Sequence, residues 1–68
     1  MELTDIGSII EKRRKLLHVN QFDICRVAEI SQRTLTAIEN GKGNPSLNTL
    51  IRILDILGLK IEIKVKNN

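Results

Sequence analysis

Apolar residues recur at helical spacing from Ile6 to Leu57, and from Leu59 to Val65 the pattern changes to strict alternation. The first stretch reads as four short helices in close succession. Ile6, Ile9, Ile10, Leu16 and Leu17 stripe a helix that Thr4 or Asp5 can cap and that ends near Leu17. Arg13 falls inside that stripe: either its stem packs while its head reaches water, or Ile9 and Leu16 belong to a second face. Asn20 caps a second helix over about residues 21–29, with Ile24, Cys25 and Ala28 on one side. Ser31 caps a third, anchored by Leu35 and Ile38 and stopped by Gly41, whose tolerance of positive φ suits a helix end. Ser46 caps a fourth, which Gly58 ends. There Leu47, Leu50, Ile51, Leu54 and Leu57 form the expected core stripe. Ile53 and Ile56 widen the apolar arc beyond what a thin core needs, as surface that meets another chain does.

In the tail, Leu59, Ile61, Ile63 and Val65 fall on one side and Lys60, Glu62, Lys64 and Lys66 on the other, the mark of a strand with one buried face. No second strand is evident in the pattern. Unpaired backbone groups beside an apolar face are costly. A second copy satisfies both chains at once, by antiparallel pairing across a two-fold axis. The expected organisation is a helical domain over residues 1–58 and a dimerisation strand and tail over 59–68. Ile53, Ile56, Leu59, Ile61, Ile63 and Val65 form the expected dimer interface.

Composition narrows the possibilities. At 68 residues the chain is one domain, and a domain this small buries only about 60% of its unfolded surface. Cys25 is the single cysteine, so no internal disulfide reinforces it, and one His with one Cys makes a metal site a poor expectation. A reinforcing partner is the option left. The net charge of +3 tilts the chain mildly toward polyanions. No apolar run approaches the roughly 20 residues that span a bilayer, and the acidic start MELTDIGS is unlike a signal peptide. The lone cysteine fits a reducing, cytoplasmic setting. Phe22 is the only aromatic, which argues against a base-stacking platform for single strands. An enzyme is a poor reading and no cofactor is expected, because the chain lacks a glycine-rich phosphate loop or a metal-spaced cluster.

Two short helices joined through Glu29-Ile30-Ser31 make a helix-turn-helix candidate, in which the second helix presents side chains near its N-terminus to base edges in the major groove. Gln32 can pair with adenine and Arg33 with guanine. Thr34 and Thr36 can reach phosphates or a thymine methyl. Ala37 can only pack, and Glu39, the one acid of this helix, sits at its far end.

The stretch NQFDICRVAEISQRTLTAIENGKGNPSLNTLIRILDILG resembles the Cro/C1-type (XRE) helix-turn-helix family of phage and bacterial repressors over about residues 6–58. Gln21 opening the second helix, Ser31 opening the third, Ile38-Glu39-Asn40-Gly41-Lys42 closing it, and Pro45-Ser46-Leu47 carry the likeness. The resemblance implies a mainly α, four-helix lambda-repressor-like domain. It puts Gln21 on a phosphate and Gln32, Arg33, Thr36 and Ala37 at base-reading positions. Asn40 and Lys42 would hold the DNA backbone, and Arg14 would pair internally with Glu39. Three positions depart from the pattern. Glu29 stands where glycine is usual, Cys25 where alanine is usual, and Phe22 where the family is polar. The tail after Gly58 resembles that of HipB-like antitoxins, dimeric DNA-binding proteins that hold a HipA-type kinase toxin and repress their shared operon. The expected function is therefore a homodimeric repressor on a palindromic operator in double-stranded DNA, as the antitoxin of a HipBA-like module. A stand-alone repressor, or a module that adds its tail strand to a partner's sheet, are the alternatives.

Overall fold

The computed structural model describes residues 2–67, and in it four α-helices follow one another: α1 (Leu3–Leu16), α2 (Gln21–Ala28), α3 (Gln32–Glu39) and α4 (Leu47–Ile56). Three of the starts are the expected caps. The side-chain oxygens of Asn20, Ser31 and Ser46 accept the backbone N–H of Asp23, Thr34 and Thr49 at 2.8, 3.1 and 3.1 Å. α1 starts earlier than expected, because Asp5 works from inside the helix: its carboxylate accepts the Glu2 N–H at 2.9 Å.

All four helices end in the same way. A residue at or just after the cap takes a left-handed conformation, and the next N–H reaches back five residues to a carbonyl of the last turn. Val19 donates to Arg14 at 3.0 Å, Ile30 to Cys25 at 3.1 Å, Lys42 to Ala37 at 2.8 Å and Leu59 to Leu54 at 2.8 Å. Glycine fills the left-handed position in α3 and α4, with φ of 72° at Gly41 and 71° at Gly58. His18 at 57° and Glu29 at 59° fill it in α1 and α2, where a Cβ makes it costly. Val19, Ile30 and Leu59 then drop onto the core and cover three of the four helix ends.

Ile10, Ile24, Leu35, Ile38, Ile53 and Leu57 are fully buried at the centre. α1 packs mainly on α3, and α2 on α3 and α4. Gly7 makes the first contact possible: a Cβ there would collide with the carbonyl oxygen of Ile38.

Four expectations are corrected. The buried stripe of α4 is Leu50, Ile53, Leu54 and Leu57, whereas Leu47 and Ile51 are 60% and 39% exposed. Ile53, expected at a dimer face, is at 0% exposure inside its own chain, and Ile56 also packs on the core. Arg13 is half-buried and its head is engaged: its Nε donates to the Leu57 carbonyl at 2.9 Å and ties α1 to the end of α4. Ile9 and Leu16, at 45% and 68% exposure, do form a second face. Residues 59–66 form no strand in the single chain, as a ladder needs a neighbour and the described residues offer none. Leu59 is half-buried, while Ile63 and Val65 stand 93% and 96% exposed.

Candidate nucleic-acid interface

The turn between α2 and α3 is short, since Glu29 reverses the chain in one left-handed step and Ser31 starts the next helix. Ser31 accepts the Thr34 N–H and donates its own hydroxyl to Thr34 Oγ1 at 2.9 Å. Thr34 is thus part of the cap, with its hydroxyl proton left to point outward. Leu35 and Ile38 bury the inner face of α3, which turns Gln32, Arg33, Thr34 and Thr36 to the surface and leaves Ala37 half-covered. Arg33, Thr34, Ala37 and Lys42 converge on one shallow hollow with Asn44 and Pro45. Asn40 caps α3 and is exposed. Among the described residues neither Arg33 nor Lys42 has a carboxylate partner, so both cations are free to meet an anion.

Beneath this surface runs a polar network. Arg14 grips Glu39 with two nitrogens, Nε to Oε2 at 2.7 Å and Nη2 to Oε1 at 3.0 Å. The two side chains are 12% and 2% exposed. A third Arg14 nitrogen donates to the Val19 carbonyl at 3.3 Å. The hydrogen bond to Glu39 pushes the Arg14 pKa up against the opposing effect of burial. Glu39 also accepts from the Gln21 amide at 3.0 Å, and Gln21 accepts from the Gln32 amide at 3.1 Å. One buried carboxylate therefore organises the start of α2 and, through it, the start of α3. No buried side-chain polar atom among the described residues lacks a partner.

Cys25 is buried against this arrangement, and burial first, then the Glu39 charge, pushes its thiol up. Asn44 and Arg26 were not singled out in the sequence. Asn44 reaches the Arg33 hollow only through the path of the 42–45 loop. Arg26 shares a second hollow with Phe22, Ile30 and Gln32.

A helix-turn-helix family profile matches residues 10–64, most of the chain. The chain belongs to the XRE-type helix-turn-helix family. This is a family of DNA-binding transcription regulators. The chain is similar to the ImmF control region 10 kDa protein of Bacillus phage phi105, at 33% identity over 58 residues, or 85% of this chain and 64% of the phage protein. It thus spans just under two thirds of that relative's length. It is also similar to an uncharacterised HTH-type transcriptional regulator of Methanocaldococcus jannaschii, at 39% identity over 49 residues, covering 72% and 74% of the two chains. Both of the family's helices, with the turn between them, lie inside the matched stretch. No helix among the described residues is long and apolar enough to cross a membrane.

Proposed function

We propose that this XRE-type chain acts as a homodimeric, sequence-specific regulator that lays α3 in the major groove of duplex DNA. The observation that carries the reading is an exposed, acid-free row of Gln32, Arg33 and Thr36 set above the Arg14–Glu39–Gln21 network. A reading surface needs side chains held in place, and this network limits where Gln32 can go. In this reading Gln32 takes an adenine edge, Arg33 takes a guanine edge, and Ala37 packs on a base. Thr34, Asn40, Lys42 and the N-terminus of α2 at Gln21 hold phosphates. The names of the phage control protein and the archaeal transcriptional regulator fit the same role.

The dimer is the second element. Two copies joined through the tails and the Leu59 and Ile61 surface present two α3 helices, and a spacing of about 34 Å would read a palindrome. In its most specific form the proposal makes the chain a bacterial, cytoplasmic antitoxin that represses its own operon and holds a HipA-like kinase toxin. The short alternating tail after Gly58 motivates that form. A stand-alone repressor uses the same dimer without a toxin.

Selection of bound duplexes from a random pool, followed by anisotropy titration at several salt concentrations, tests the reading. Palindromic enrichment and a steep loss of affinity with salt are expected, with a log–log slope of about −0.9 per phosphate neutralised. Absent or salt-insensitive binding would leave a protein-interaction module instead. Purifying the complex from its native cells after nuclease treatment separates the two forms: a larger second protein means an antitoxin, and two copies alone mean a lone repressor.

A further inference from the structure

Leu59, Lys60 and Ile61 cross between α1 and α4 over Leu54, and a groove of about 220 Å³ stays open on the α1 side. Ile6, Ile9, Leu54, Leu59 and Ile61 give it apolar walls. A second, less apolar groove lies on the α4 side beside Asp55. Ile63 and Val65, beyond the groove, touch almost nothing of their own chain. An unfilled apolar groove thus adjoins two apolar side chains and a backbone that have no partner among the described residues.

A second copy fits this face, and the tail charges select how. Apolar-on-apolar antiparallel pairing requires odd residues to face odd ones, so the two-fold axis must fall on a residue. At residue 62, Glu62 faces Glu62 and Lys60 faces Lys64. At residue 64, Lys64 faces itself and Ile61 faces Asn67. At residue 61, Val65 must face Leu57, which is fully buried and whose carbonyl already accepts from Arg13. At residue 63, Ile63 faces Ile63, Ile61 faces Val65, and Glu62 faces Lys64, each of the last two on both sides of the axis. The like pair in this register, Lys60 with Lys66, falls at the water-screened rims.

We propose that a second copy's tail occupies this face in the register centred on Ile63, so that its Val65 lies beside Ile61 and closes the groove between Ile6, Ile9 and Leu54. The inference rests on the dimer reading above and adds the register and the seat. Opposite charges directly across an antiparallel pair stabilise it and like charges weaken it.

The test uses the full chain with Cys25 in place, since its thiol is buried. Sedimentation equilibrium measures the dimer constant. Glu62→Lys is expected to weaken the dimer about tenfold, because it turns an attractive pair on each side of the axis into a repulsive one. Adding Lys64→Glu is expected to restore it, which no other register predicts in full. Ile63→Cys is expected to cross-link to itself under mild oxidation, at a separation a disulfide can span, and Ile61→Cys is not. Ile9→Lys is expected to weaken the dimer with the helical circular dichroism unchanged. A dimer that keeps its strength in Glu62→Lys, or that cross-links through residue 61, overturns the register while leaving the dimer reading intact. A native chain that stays monomeric at every concentration overturns both.

Discussion

The Gln32 side-chain amide donates to Gln21 at 3.1 Å, and Gln21 donates to Glu39 at 3.0 Å. The first residue of α3 is thereby tied through the first residue of α2 to the last residue of α3 itself. A glutamine free in solvent samples many rotamers, and fixing one before binding removes that cost from recognition.

Gln21→Ala separates this positioning from folding. It removes a half-buried hydrogen bond to Glu39 and an exposed one from Gln32, so the loss of stability should be modest, about 1 kcal/mol. Discrimination at the base read by Gln32 should relax by more than the affinity for non-specific DNA falls. Parallel anisotropy titrations on the preferred site and on a variant of that one base measure the difference.

Arg33→Ala should cost about 1–3 kcal/mol on the preferred site and relax one base position. Equal losses on every duplex would place Arg33 on phosphate. Urea unfolding should be unchanged within error, because the Arg33 side chain has no carboxylate partner among the described residues.

Glu39→Ala strands the Arg14 guanidinium, which is mostly buried. Breaking one side of a buried pair costs roughly 3–5 kcal/mol. That is comparable with the whole stability of a domain this size, about 3–10 kcal/mol. The variant should be largely unfolded at 37 °C by circular dichroism. The double variant Arg14→Met with Glu39→Leu removes both charges and should recover most of the helical signal.

Glu29→Gly should stabilise the chain by about 1 kcal/mol, because φ of 59° is costly for a residue with a Cβ and ordinary for glycine. His18→Gly, at 57°, should behave alike. Urea midpoints measure both. A loss of stability in either would mean that its side chain contributes more than its backbone costs.

Cys25 should report global unfolding. Its thiol is buried and pushed up from the ordinary 9.0, so the neutral form is favoured in the folded state. A group raised on folding contributes its full stability below its unfolded pKa and loses it as pH climbs through the folded value. Stability should therefore fall above about pH 9 in part through Cys25, and Cys25→Ala should remove that part. Thiol-reagent labelling at pH 8 should track the unfolded fraction.

The local signals in the sequence were legible where they act within one turn. Asn20, Ser31 and Ser46 each satisfy an orphan N–H three residues on, and Gly41 and Gly58 each end a helix, with no help from distant residues. The face of α4 was not legible. Leu47, Leu50, Ile51, Leu54 and Leu57 make a stripe at helical spacing, and so do Leu50, Ile53, Leu54 and Leu57. Only the packing of the other helices selects the second. Gly7 gave no signal in the sequence, because its reason is the carbonyl of Ile38, far along the chain. Arg13 looked like a conflict because its partner, the Leu57 carbonyl, exists only once α1 and α4 meet. Arg14 and Glu39 were expected as a pair from the family resemblance, and the Gln21 and Gln32 extension of that pair was not.

Among the described residues Leu59 is the last side chain that packs on the core, and residues 60–67 after it are exposed. Substitutions at Ile63 and Val65, which stand 93% and 96% exposed, should therefore hardly touch folding. Under the proposed dimer, partner choice and base reading can then diverge independently in evolution. Two paralogues in one cell could stop mixing subunits through a few charge changes in the tail while each kept the same operator.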